Sequence, residues 1–236
     1  MRRGSLAFVF CSAFAALAAL DLYAISSGRL SWRVWTKPPL MLVLAGVLFA
    51  RYPRLDAPQR WLAAGLGWSA AGDTILLGTS DAAFVLGTLA FAGAHLSFIV
   101  AFARAGGGAG FVRRLPWVAL PYLAAWLGTT LLLAPHMGVL AFVAIPYGFL
   151  LMVMALAALD LIGRIPLRSA ILASVGAALF MSSDSNIAIA RFDPSLAPPH
   201  VDVLIMALYL VAQSMITAAF LLPGTEPRAA GTEADP

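Results

Sequence analysis

Residues 137–159 read MGVLAFVAIPYGFLLMVMALAAL, a run of 23 residues without a charged side chain. A helix needs about 20 mostly apolar residues to cross the hydrocarbon core of a bilayer. The whole chain has the same character, because 61% of its 236 residues are hydrophobic and 11% are charged, whereas soluble domains carry about 25% charged residues. The sequence therefore predicts an integral membrane protein, and its net charge of +4 does not indicate nucleic-acid binding.

Seven further apolar segments lie on either side of this run, and each is long enough, or nearly so, to span the membrane. The eight predicted segments are 5–25, 37–51, 61–78, 82–103, 116–134, 137–159, 167–190 and 201–222. Ala134-Pro135-His136 indicates a tight turn between the fifth and the sixth segment. We predict an all-α, polytopic bundle of eight transmembrane helices that forms one domain over residues 1–222, followed by a disordered cytoplasmic tail at 223–236.

The arginines predict the orientation of this bundle. With a cytoplasmic N-terminus, the segments on the cytoplasmic side hold 11 arginines, and those on the outer side hold three arginines and the single lysine. Cytoplasmic loops carry the excess of basic residues in membrane proteins. We therefore expect both termini in the cytoplasm, and we expect the protein in a bacterial inner (plasma) membrane.

Two acids and the single lysine fall in the same predicted half of the membrane. By helical rise, Asp73 lies about 7–8 Å and Asp184 about 9 Å from the outer ends of their segments. Lys37 opens the second segment from the outer side, where an ammonium beside a helix N-terminus forms a ready anion site. A charge inside the membrane costs several kcal/mol unless it is paired or hydrated, so such residues indicate function by default. The structural alternative is that the two acids only pair with Lys37 or Arg191.

Four uncharged polar side chains add to this pattern. His95 lies near the middle of the fourth segment, and Tyr209 and Gln213 share one face of the eighth. Each of these three could line a pocket or could simply satisfy a neighbouring helix. Asn186 follows Asp184 in a polar run, but the two residues differ by about 200° around the helix and cannot both point squarely into one cavity.

Other ionisable groups give weaker signals. Asp21 lies near the outer end of the first segment, where an interfacial position is the simpler interpretation. The single Cys11, the three histidines and the lack of a His-Glu-x-x-His pattern argue against a zinc site. We therefore predict neither a metal nor another cofactor.

Several short motifs occur in a fixed order along the chain. They are Lys37-Pro38, Gly72-Asp73-x-x-Leu76-Leu77, Leu86-Gly87-x-x-x-Phe91-x-x-x-His95, Leu179-Phe180-x-Ser182-Ser183-Asp184-Ser185, Arg191-Phe192 and Tyr209-Leu210-x-Ala212-Gln213. The ordered set covers about residues 37 to 215 and resembles the YhhN family of membrane proteins, which includes the mammalian lysoplasmalogenases. Pro39 and Asn186 are mild departures from the family pattern.

The resemblance implies an enzyme that hydrolyses the vinyl ether bond of a lysophospholipid, the lysoplasmalogen, within the lipid bilayer and without a metal. The products would be a fatty aldehyde and glycerophosphoethanolamine or glycerophosphocholine. Protonation of an enol ether gives an oxocarbenium ion, and two carboxyls can supply the acid and the opposing charge, as in glycoside hydrolysis. We assign Asp184 as the proton donor and Asp73 as the stabilising carboxylate, with the reverse assignment open. The predicted substrate-binding residues are Lys37 for the phosphate, His95, Tyr209 and Gln213 for water or the ether oxygen, and Asn186.

Two other functions use similar residues. Membrane-buried acids and a lysine also serve proton-coupled transporters and channels, although the acids here lie away from the midplane and no inverted repeat is evident. Intramembrane aspartyl proteases place two acids on separate helices in Tyr-Asp and Gly-x-Gly-Asp motifs. The residues before Asp73 and Asp184 match neither motif.

Overall fold

A computed structural model describes the backbone of residues 3–222 and the side chains of residues 4–222. Within this range the chain forms nine α-helices, four short 3₁₀ turns and no strand. The α-helices are α1 Arg3–Ser26, α2 Arg33–Arg51, α3 Ala57–Ile75, α4 Asp81–Arg104, α5 Phe111–Arg114, α6 Leu120–Met137, α7 Ala141–Leu159, α8 Leu167–Phe192 and α9 Val201–Leu221. The tail predicted at 223–236 lies outside the described residues.

The predicted all-α membrane bundle is confirmed. All helices except the single turn α5 are long, and each of these eight corresponds to one predicted segment. Six stretches of the described chain are long and apolar enough to cross a membrane, and the stretch Pro116–Leu159 contains both α6 and α7. Helix α3, which packs between α2 and α4, is not one of these six.

Helix α2 begins at Arg33 and not at residue 37, so Lys37 lies in its second turn and the predicted position beside the helix N-terminus is wrong. Two other helix ends differ from the predicted segments for local reasons. Helix α3 begins earlier than predicted because Asp56 and Gln59 form a capping box, in which each side chain accepts a hydrogen bond from the other residue's backbone N–H, at 2.8 and 3.1 Å. The predicted turn at Ala134-Pro135-His136 is wrong. Helix α6 continues through Pro135, and the chain breaks at Gly138, whose φ of +51° is a conformation that favours glycine.

The helices pack into a closed arrangement. Each of the helices α1 to α4 packs against the next one in the chain, and α4 packs against α7. Helix α7 packs against α8, and α8 packs against α9. Contacts of α9 with α1 and α2 close the ring. Helix α6 packs against α7 and α8 at the periphery of the bundle. Its buried side chains are Leu133 and Met137, close to its C-terminal end.

Glycines allow the closest helix contacts in the core. The ring of Phe98 lies against Gly65, and the ring of Phe91 lies against Gly72, so α4 can approach α3 closely. On α8, Gly176 faces the backbone of α9, where an added Cβ would lie 2.9 Å from the carbonyl oxygen of Ala212. Small residues at such positions let membrane helices pack backbone to backbone.

We expect the substitution Gly176→Ala to destabilise the protein although alanine favours helices. The methyl group would meet rigid backbone, and overpacking costs about 1–3 kcal/mol, more than the gain of about 1 kcal/mol in helix propensity. The matched control is Gly128→Ala on α6, where a Cβ meets nothing within 4 Å. Thermal unfolding in detergent should show a lower midpoint for Gly176→Ala and no loss for Gly128→Ala. Equal midpoints for the two variants would contradict this account of the α8–α9 contact.

Candidate active site

Asp73 lies near the end of α3, buried between two other helices. Lys37 of α2 places its Nζ 3.2 Å from Asp73 Oδ1, and Tyr209 of α9 donates a 2.7 Å hydrogen bond to Asp73 Oδ2. The side chains of Asp73 and Lys37 are 2% and 12% exposed. Both carboxylate oxygens of Asp73 are therefore engaged, one of them by a cation.

Asp184 on α8 has a different environment. The hydroxyl of Tyr147 on α7 donates a short hydrogen bond to Asp184 Oδ2 and lies 3.0 Å from His95 Nε2 on α4. His95 Nε2 itself is 3.8 Å from the same carboxylate oxygen, and the imidazole is fully buried. Within residues 3–222, no protein group forms a hydrogen bond with Asp184 Oδ1. Asp184 therefore has one supported oxygen and one that is available to a ligand.

An aromatic cluster separates the partners of the two acids. The ring of Phe180 makes edge contacts with Tyr209 and with His95, with centroid separations of 5.4 and 5.0 Å. Phe91 makes similar edge contacts with Phe180 and Tyr209. Such packing fixes the orientation of the rings and therefore of the polar groups that they carry.

The two acids line one cavity of about 290 Å³, which we call the polar cavity. Its charged lining residues are Arg33, Lys37, Asp73, Asp184, Arg191 and Asp202. A second cavity of about 80 Å³, the apolar cavity, lies between α4, α6, α7 and α8. Its larger apolar lining residues are Leu76, Phe84, Phe91, Trp126, Met137, Leu151, Met181, Ile187 and Phe192. Asp184 lines both cavities and therefore lies at their junction.

Not every predicted site residue lines these cavities. Lys37, Asp73, Asp184 and Tyr209 do. His95 and Gln213 lie behind the lining, His95 against Tyr147 and Gln213 with its Nε2 3.0 Å from Ser69 Oγ.

Asn186 lies apart from the polar cavity. It is on the face of α8 that looks toward α6, and its amide donates a 2.8 Å hydrogen bond to the carbonyl oxygen of Ser182. The structure therefore does not bring Asn186 to the two acids, in agreement with the angle between Asn186 and Asp184 around the helix.

Two features of the site did not emerge from the sequence. Tyr147 is a single tyrosine in an apolar segment, which a packing role explains equally well. Asp21 is fully buried, which its position near a helix end did not predict: Thr36 donates a 2.6 Å hydrogen bond to it and Arg33 lies 3.4 Å away. This contact ties α1 to α2 and holds Arg33 in the wall of the polar cavity.

The acids of the site do not form a metal centre in the described structure. Among residues 3–222, no three side chains of histidine, cysteine, aspartate or glutamate come together in a group that could hold a metal ion. The groups that surround the acids are instead an ammonium, two phenols and an imidazole.

Fold and site together define an integral membrane protein with two buried carboxyls beside a polar cavity, one of which also borders an apolar cavity. The chain belongs to the YhhN family, whose sequence profile matches residues 32–220. Among curated proteins it is similar to the human protein "Lysoplasmalogenase TMEM86B", with 35% identity over 198 residues that cover 84% of this chain and 79% of the human protein. No solved structure gives a significant match.

We expect Lys37→Met to destabilise the fold, because it leaves Asp73 without its cation in a buried site. Removing one partner of a buried ion pair costs about 3–5 kcal/mol, whereas replacing both partners can be neutral. The double variant Lys37→Met/Asp73→Asn should therefore recover much of the loss. Thermal unfolding in detergent measures both effects.

The control for this prediction is Arg191→Met. Arg191 pairs with Asp81 at the surface, where Asp81 is 72% exposed, and exposed ion pairs contribute little stability. If Lys37→Met unfolds at the temperature of the wild type, the pair does not stabilise the bundle.

Proposed function

We propose that the protein is a lysoplasmalogenase, a membrane hydrolase that cleaves the vinyl ether bond of lysoplasmalogens into a fatty aldehyde and a glycerophosphoethanolamine or glycerophosphocholine. The observation that carries the proposal is the position of Asp184 at the junction of the polar and the apolar cavity. In a lysoplasmalogen, the vinyl ether is the group that joins the polar head to the alkenyl chain. Family membership and the similarity to a human lysoplasmalogenase support the same reaction.

The polar cavity has the charge that a phospholipid head requires. Arg33, Lys37 and Arg191 line its wall. Each of the three is paired with an aspartate, and its remaining N–H groups can bind the phosphate. Asp202 is exposed at the same cavity and can face the ammonium of an ethanolamine or choline group. With the head placed here, the apolar cavity receives the first carbons of the chain, and the enol ether lies beside Asp184.

Proton transfer begins the proposed reaction. The carboxyl of Asp184 donates a proton to the vinyl carbon farther from the ether oxygen, which converts the enol ether into an oxocarbenium ion. Asp184 suits this role because its neighbours are a phenol and an imidazole and because its Oδ1 is unoccupied by protein groups within the described range.

Asp73 supplies the opposing charge. The ammonium of Lys37 and the hydroxyl of Tyr209 bind the two oxygens of Asp73 and would hold its carboxylate where it can face the developing cation. Water then adds to the cationic carbon and loses a proton to the carboxylate of Asp184, which restores the acid. In the resulting hemiacetal, the hydroxyl proton passes to the glycerol oxygen as the carbon–oxygen bond breaks, which gives the aldehyde and the alcohol. The net reaction consumes one water for each ether bond.

We further propose that the protein lies in the inner membrane of a bacterium with both ends in the cytoplasm. The excess of arginines in the loops on the side of the α2–α3 connection supports this orientation. The polar cavity would then open toward the outer face, since it is lined by residues 78–80 between α3 and α4 and by Asp202 at the start of α9.

The first test is release of fatty aldehyde from lysoplasmenylethanolamine and lysoplasmenylcholine by purified protein in detergent. We expect Asp184→Asn and Asp73→Asn to lower kcat by about 10²–10⁴-fold, the range that a general acid or a stabilising charge contributes. Asp193→Asn, which lies outside both cavities, should retain full activity, and a chelator should have no effect. No aldehyde from either lipid would refute the function, whereas activity that survives both substitutions would refute the residue assignment.

A second test concerns Tyr147 as a positioning residue. Tyr147→Phe removes the hydroxyl that connects His95 and Asp184, and we expect kcat to fall by about tenfold, the equivalent of one hydrogen bond of about 1.4 kcal/mol. If the three residues act as one chain, adding His95→Gln to Tyr147→Phe should cost less than the two separate losses combined. Tyr23→Phe, at an exposed tyrosine, is the matched control. Fully additive losses would contradict a connected chain.

A further inference from the structure

A cleft opens between α6 and α8 at the surface of the bundle, and its volume is about 410 Å³. It is lined by Pro121, Tyr122, Ala125 and Thr129 of α6 and by Ala178, Met181, Ser182, Ser185 and Asn186 of α8. We call it the α6–α8 cleft. Thr129, Met181 and Ser185 line both this cleft and the apolar cavity, so the two spaces adjoin.

The packing of α6 explains why a cleft exists here. Helix α6 is anchored near its C-terminal end, where Leu133 and Met137 are buried in a cluster with Phe192. Earlier in the helix, Ala125 is exposed and Tyr122 is only half-buried. The first turns of α6 therefore stand away from α8, and a gap remains at the depth of the spanning helices.

Of the five polar side chains that line the cleft, two bond their own helix. Ser182 donates a 3.0 Å hydrogen bond to the carbonyl oxygen of Ala178, and the amide of Asn186 donates one to the carbonyl oxygen of Ser182. Among the described residues no charged side chain lines the cleft, and its apolar lining residues, Pro121, Ala125, Ala178 and Met181, suit a hydrocarbon chain. A polar head group would instead be favoured in the polar cavity, where six charged side chains line the wall.

The size of the apolar cavity requires an extension of this kind. Its volume of about 80 Å³ is far below the roughly 300–1,000 Å³ of pockets that enclose small ligands. It can receive the start of a lipid chain but not the whole chain. The remainder must leave the cavity, and the α6–α8 cleft adjoins it at three residues.

We propose that the α6–α8 cleft is the lateral portal for the substrate's hydrocarbon chain, and that the distal part of the chain remains in the cleft and the bilayer during catalysis. This inference rests on the proposed function for the identity of the lipid. It has one consequence for specificity: the site senses the first carbons of the chain, and chain length beyond them has little effect on turnover.

Blocking the portal tests the inference through activity. Ala125→Trp and Ala178→Trp place a large side chain in the cleft from opposite walls and leave the acids unchanged. We expect kcat/KM for a hexadecenyl lysoplasmalogen to fall by about tenfold or more, while a butenyl analogue, which needs no portal, is cleaved as by the wild type. The matched control is Ala124→Trp, since Ala124 is exposed on the same helix but does not line the cleft. An equal effect on both chain lengths, or no effect on either, would overturn the portal.

A second readout does not depend on hydrolysis. A non-cleavable hexadecyl ether lysophosphatidylethanolamine with a diazirine at the chain end can be photolysed on the wild type and the labelled peptides mapped by mass spectrometry. We expect label on 121–129 or 178–186, lost in Ala125→Trp and competed by unlabelled lysolipid. Label confined to other membrane-facing surfaces, such as the groove where residues 34–42 meet 67–74, would overturn the portal. Competed label in the cleft without aldehyde release would retain the portal and refute the proposed reaction.

Discussion

The ion pair between Lys37 and Asp73 is the interaction on which the site depends. An isolated charge in the apolar interior of a bundle is unstable, so an acid at this depth must be neutral or have a cation beside it. Lys37 gives Asp73 that cation, and Tyr209 holds the second oxygen, so three helices meet at one carboxylate. Within the described residues, Asp184 pairs with no lysine or arginine, and its neighbours are Tyr147 and His95. Two identical side chains thereby acquire different environments, which fits the proposed roles of acid and counter-charge.

The polar run on α8 has several structural purposes. Successive residues of a helix point about 100° apart, so neighbouring side chains meet different surroundings. Ser183 donates a hydrogen bond to the carbonyl oxygen of Ile205 on α9, and Asp184 accepts one from Tyr147 of α7. The amide of Asn186 donates a hydrogen bond to a carbonyl oxygen of α8 itself. The run is therefore a set of separate contacts around α8 and not one hydrophilic patch.

The sequence predicted the fold well because bilayer thickness determines the length of each apolar segment. The helix ends depended on single residues and were harder to predict. Helix α6 ends at Gly138, whereas Pro135 was the expected break. The acids were predictable because charged atoms are conspicuous in apolar segments. Tyr147 was not, because its role depends on how α7 packs against α8 and α4.

Burial of Asp21 was missed for a related reason. Its position near a helix end indicated the interface, but the partners that bury it come from the next helix, and their approach is a property of the tertiary fold. The same limit applies to the cavities, whose walls come from helices far apart in the chain. The sequence identified candidate residues for the chemistry, and packing determined which of them meet.

The peripheral position of α6 has an evolutionary consequence. Helices α2, α3, α8 and α9 carry the two acids together with Lys37 and Tyr209, whereas α6 contributes only apolar and hydroxyl side chains to the apolar cavity and the cleft. On the proposed function, mutations in α6 would change which hydrocarbon tails enter without disturbing the charged centre. The sequence of this one helix could then diverge while the residues proposed for the reaction stay the same.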